Sequence, residues 1–177
     1  MHTEELPNPM IAQSRRVLKE VYLPRLVSCL GQLSSEQIWW RPNDASNSIG
    51  NLVLHLTGNV RQWIISGLGG ARDVRQRDEE FSERGPLPRR ILASHLRRTV
   101  VEACDVLAKL TPEDLARTHT IQKYQVTGIE AAFHVAEHFS HHAGQIILLT
   151  KMLAGKDLNF THLPGEKKRK TQKLPAL

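Results

Sequence analysis

The sequence predicts an all-α protein, an antiparallel four-helix bundle with a short irregular or β-like segment before the last helix. Three observations carry that expectation. Apolar residues recur at spacings of three and four along four long stretches, which places them on one face of a helix turning about 100° per residue. Residues that start and stop helices bracket those stretches. Nowhere does the alternation of period two recur as it must in a sheet.

The first helix covers residues 9–33, where Ile11, Leu18, Val21, Cys29 and Leu33 form one stripe that Val17, Leu26 and Leu30 widen. Pro24 lies inside it and should kink it, because proline lacks the N–H of the helical ladder. A second helix starts after Ser48, a good N-cap, and runs through "IGNLVLHLTGNVRQWIISGL" to Gly69 and Gly70. The charged stretch "ARDVRQRDEEFSERGPLP" reads as a loop. Pro88 suits the first turn of a third helix carrying Ile91, Leu92, Leu96, Val100, Ala103, Leu107 and Leu110. "TPEDL" offers a single turn capped by Thr111, and "RTHTIQKYQVTG" is β-rich but too short to found a sheet. The fourth helix extends from Thr127 to Ala154 and stops at Gly155. Four amphipathic helices bury their stripes against one another, so residues 1–155 form one bundle domain. Residues 156–177 are expected to be a basic, flexible tail.

Composition narrows the function classes. With 40% hydrophobic and 24% charged residues the chain has an ordinary globular balance, and no stretch approaches the roughly 18 apolar residues of a membrane span. The opening "MHTEELPNPM" places acidic residues where a secretory signal carries positive charge, so a cytoplasmic location is expected. Cys29 and Cys104 lie in separate predicted helices, without the close spacing of a thiolate metal site, and read as buried free thiols. The formal charge of +6 is uneven: from Lys156 onward six basic residues face two acidic ones, which leaves +2 for the body. No aromatic residues interleave with the lysines of "EKKRKTQK", which argues against nucleic acid as a partner.

Four of the nine histidines fall between His134 and His142. On a helix His138 and His142 lie about 40° apart, one turn above the other, at the edge of the apolar face. Two histidines four apart can offer two nitrogens to one metal ion; each can equally be a half-buried, hydrogen-bonded residue. His55 sits among Leu52, Val53, Leu54 and Leu56, where an imidazole without a partner would bury an unsatisfied polar group. A bundle builds its metal sites from facing helices, so His55 on the second and His138 and His142 on the fourth can meet in the interior. Three neutral imidazoles leave a tetrahedral ion one position for water or substrate.

"SIGNLVLHLTGNVRQWI", followed some seventy residues later by "HVAEHFSHHAGQI", resembles the DinB/YfiT-like superfamily of bacterial four-helix bundles. "LSSEQIWWRPNDASNSIGNL" is similar to that family's approach to its second helix, and the resemblance spans about residues 10 to 155. It implies a metal held by His55, His138 and His142, with His134 and His141 as neighbours outside the ligand pattern.

The same resemblance implies a metal-dependent enzyme. Relatives include thiol-dependent transferases and isomerases in which a divalent ion, zinc or nickel here, activates a low-molecular-weight thiol such as bacillithiol or mycothiol. A bound cation lowers the pKa of a coordinated thiol, which makes that chemistry physically sound. Metal-dependent hydrolysis at the same site is the alternative, and a non-enzymatic helical dimerisation or stress-response protein with a structural metal is the third reading. A small-molecule substrate and a homodimer are expected, and no membrane. The residues identify no general base: Glu137 adjoins His138 but points about 100° away on the helix. Trp39, Trp40 and Trp63 read as core or lid aromatics, the first two able to roof the pocket, and Gln145 can orient a ligand or substrate.

Overall fold

Residues 8–85 and 87–161 are described by a computed structural model. The first helix runs as α1 (Pro9–Arg16), a π-helical segment (Val17–Tyr22) and α2 (Leu23–Gly31). A one-turn α3 (Ser35–Trp39) leads to α4 (Ile49–Val60), which continues as a second π-helical segment (Arg61–Ser66). Then follow α5 (Arg77–Ser82), α6 (Arg89–Leu107), α7 (Pro112–Ala116), strands β1 (Thr118–Ile121) and β2 (Tyr124–Thr127), and α8 (Gly128–Ala154).

The capping chemistry explains the boundaries. The hydroxyls of Ser34, Ser48, Thr111 and Thr127 accept from the backbone N–H three residues on, and in each case the side chain of that residue bonds back to the cap. Gly155 ends α8 with φ +61°, a left-handed turn that costs glycine nothing. The kink expected at Pro24 takes a different form: the chain widens into π turns over the six residues Val17–Tyr22, upstream of the residue whose missing N–H disrupts the ladder.

The side-chain pairs give the helix directions. Arg15 meets Cys104 while Arg89 reaches Gly31 and Leu33, so the first and third helices are antiparallel. His55 faces His138 while Asn59 faces His134, so the second and fourth are antiparallel as well. Tyr22 pairs with Ser140, and Gln37, just past the first helix, donates to the Leu153 carbonyl, so the first and fourth are parallel. The order is up, down, down, up, which the long connection from residue 67 to 88 makes possible. Leu18, Leu26, Leu30, Leu56, Ile64, Leu92, Leu96 and Phe139 are fully buried between these helices. Truncating any one of them to alanine should cost about 2–5 kcal/mol. Cys29 and Cys104 are buried free thiols, as expected.

One segment differs from the sequence reading: the stretch read as a loop contains α5, whose first turn carries Asp78, Glu79 and Glu80. The β-like segment expected before the last helix is there, as an antiparallel hairpin of β1 and β2 that pairs Thr118 with Thr127 and Ile121 with Tyr124. Of the segment expected as a tail, residues 156–161 lie on the bundle: the Arg25 guanidinium bonds the Phe160 carbonyl at 3.0 Å, and Leu158 and Phe160 pack on the core. The lysine-rich remainder falls outside the described residues. Among the described residues no helix is long and apolar enough to cross a membrane.

Candidate metal centre

His55 projects from the middle of α4 and is buried; His138 and His142 project from successive turns of α8 and are half-buried. The structure brings all three together. His55 Nε2 lies 2.9 Å from His138 Nε2, and one ligand nitrogen from each ring falls within 4.8 Å of the other two. The rings meet edge to face, with centroids 5.0 Å apart for His55 with either partner and 4.5 Å for His138 with His142. Nitrogens bound to one zinc at about 2.0–2.1 Å sit about 3–4 Å apart, so small rotations suffice to enclose an ion.

Hydrogen bonds orient two of the three rings. His55 Nδ1 donates to Glu80 Oε2 at 2.9 Å, which turns its Nε2 towards His138. His142 Nδ1 donates to Gln145 Oε1 at 2.8 Å, so Gln145 fixes this ring's tautomer and leaves Nε2 free. Burial first, then the neighbouring His142 and His55, push the His138 pKa down to about 3. Burial likewise lowers His142, against the opposing hydrogen bond that it donates to Gln145. Three imidazoles with no carboxylate among them suit a borderline transition-metal ion rather than calcium or magnesium.

Glu80 is the important residue that the sequence reading missed. Arg75 grips it bidentately, Nε to Oε1 at 2.7 Å and Nη2 to Oε2 at 2.8 Å, with both side chains almost fully buried. Arg75 Nη2 also comes within 3.2 Å of His55 Nδ1, two donors converging on one carboxylate oxygen. Burial pushes the Glu80 carboxyl up, but hydrogen bonds from Arg75 and His55 and the charge of Arg75 outweigh it and hold the group below its ordinary range. Asn51 holds α5 in place from α4, its Nδ2 donating to the carbonyls of Glu80 at 2.8 Å and Glu83 at 2.9 Å. The only sequence signal was acidic residues clustered where a helix starts, which indicates α5 but not its contact with His55.

The remaining histidines and aromatics divide clearly. His134 stacks on Trp63 with centroids 4.0 Å apart and lies parallel to His138 at 5.4 Å, outside the cluster of three. His141 is exposed and receives a bond from Gln145 at 3.3 Å. Glu137 is exposed, as expected. Trp39 and Trp40 do not roof the site; Trp39 Nε1 instead donates to the Leu87 carbonyl. A cavity of about 490 Å³ opens beside His55 and His138, walled by Trp63, His134 and the hairpin residues Tyr124 and Val126. Asn59 and Gln62 of the second helix also reach this region. Asn59 lines the cavity, and Gln62 Oε1 accepts from Arg75 and from Gln122 of the hairpin.

Fold and site together define a helical bundle with a three-histidine cluster beside an open cavity. The chain belongs to the family described as protein of unknown function (DUF1572), whose model matches residues 12–167. Its fold is that of DinB-like proteins. A DinB-like protein from Bacillus cereus is 17% identical with a TM-score of 0.63, the match covering 80% of this chain and 89% of that one. A conserved protein from Enterococcus faecalis is 16% identical with a TM-score of 0.69, covering 82% and 97%. A DinB-like protein from Bacillus subtilis is 19% identical with a TM-score of 0.59, covering 82% and 91%. Among curated proteins none matches.

Proposed function

We propose that the chain is a metal-dependent enzyme in which His55, His138 and His142 hold one divalent transition-metal ion, zinc or nickel, and that it acts as a thiol-dependent transferase on a small-molecule substrate. The observation that carries this reading is the convergence of three imidazole nitrogens beside an open cavity. Such an ion, when bound, lowers the pKa of a coordinating thiol and makes it nucleophilic at neutral pH. The chain's own residues hold the site. Glu80 and Arg75 orient His55, Gln145 orients His142, and the walls of Trp63 and Val126 limit water around a bound substrate. A homodimer in the cytoplasm completes the reading, with the exposed Phe133, Leu148 and Met152 of α8 offered for the contact.

Calorimetry of the cobalt-loaded chain with bacillithiol, mycothiol and glutathione, in buffers of different ionisation enthalpy, tests the transferase. A thiol should bind with proton release and perturb the cobalt spectrum, because a metal ligates only the deprotonated form. An unperturbed spectrum with turnover of an ester or amide would replace the transferase by a hydrolase. No response and no turnover from the loaded, folded chain would leave the metal a structural role.

A further inference from the structure

Apart from the histidines, three charged side chains line the cavity, and the protein engages two of them. Arg75 directs its donors to both oxygens of Glu80 and to Gln62 Oε1. Glu130 holds the start of α8, its Oε2 accepting from the backbone N–H of Thr127 at 2.7 Å and from the Thr127 hydroxyl at 2.8 Å. Arg77 is the third. It is exposed at the rim, and among the described residues its guanidinium makes no ion pair and no hydrogen bond. Contact with an aromatic ring holds it in place: the guanidinium carbon lies 5.0 Å from the Phe81 ring centroid, and Phe81 packs on His55 with centroids 4.6 Å apart. These two contacts keep the cation within about 10 Å of the His55 imidazole.

We infer that the cavity takes a substrate that carries a carboxylate, and that Arg77 recognises it. The inference rests on the metal-site reading for the position of the reacting end, and it adds the substrate class, an organic acid. An arginine lying against a ring still presents its planar fork of N–H donors, which matches the two oxygens of a carboxylate. With Arg75 neutralised by Glu80, Arg77 is the one arginine of this wall, among the described residues, left to pair with a ligand. One such cation suits the single charge of a carboxylate better than the nearly double charge of a phosphate. Phe81 stands between the guanidinium and His55, so a short carbon chain separates the ligand's acid group from the atom at the histidine cluster.

The monohydroxamates of succinate, glutarate and adipate, each beside its primary amide, share a metal-binding head and differ only in the charge at the far end. For the zinc-loaded chain the ratio of acid to amide affinity should, at the best chain length, be at least about threefold higher in wild type than in Arg77→Gln, and it should shrink as salt is added. Zinc uptake and affinity for the amides should be the same in both proteins. In the metal-free chain, adipate should shift the Arg77 Nε–H resonance, assigned by its loss in Arg77→Lys, whereas adipamide at matched ionic strength should not. A ratio unchanged by Arg77→Gln at every chain length, or a resonance that adipate leaves in place, would each overturn the acid site. If Arg77→Gln does not fold, the resonance titration of the wild-type chain decides alone. Failure of the chain to take up zinc would overturn the metal reading instead, with that titration still deciding the acid.

Discussion

Gly58 has no side chain where the Glu80 carboxylate lies. A Cβ at Gly58 would fall on Glu80 Oε1, well inside contact, and 2.9 Å from Arg75 Nε. The glycine stands one turn beyond His55 on α4, so its bare backbone lets α5 and the Arg75 guanidinium close over the buried imidazole.

The first prediction follows from that contact. Gly58→Ala should improve the helix locally, by up to about 1 kcal/mol of propensity, yet push Glu80 off His55. Zinc affinity, measured by competition with a chromogenic chelator, should fall about 10–100-fold with helical circular dichroism intact. Wild-type affinity in the variant would show that Glu80 does not govern His55.

Asn51 should matter for stability first. Asn51→Ala removes the return half of the Ser48 capping box and strips the buried Glu80 carbonyl of its donor. A loss of about 2–3 kcal/mol in urea unfolding is expected from the cap and the unsatisfied group together. A loss below about 0.5 kcal/mol would mean that α5 is held by other contacts.

The metal-free chain should weaken in mild acid. His138 is depressed to about 3 in the fold, so below its ordinary value of 6.5 the unfolded chain takes up a proton that the folded chain refuses. Its contribution is therefore intact above pH 6.5 and is lost progressively as pH falls from there towards 3. His134 and His142, lowered chiefly by burial, act in the same direction. Thermal unfolding with chelator present should show a midpoint that falls between pH 7 and 5, and His138→Asn should flatten that slope. An unchanged slope in the variant would contradict the assignment.

Much of this was legible in the sequence because it depends on local pattern. The Ser48 and Thr127 caps, Gly155, and the one-turn spacing of His138 and His142 are properties of residues within a few positions of one another. His55 was legible because its apolar surroundings demanded a partner. What escaped depends on contacts distant in sequence. The bond from Glu80 to His55 spans 25 residues and the one from Asn51 to the Glu83 carbonyl spans 32, and no local rule encodes either. The up, down, down, up order is likewise set by contacts between helices.

One ion held by His55, His138 and His142 is the central proposal. Elemental analysis of the chain purified without a histidine tag, before and after equilibration with zinc, measures this directly. One divalent ion per chain is expected, abolished in His55→Ala, His138→Ala and His142→Ala and largely retained in His134→Ala and His141→Ala. Equal loss across all five variants, or no stoichiometric metal in the folded wild-type chain, would contradict it.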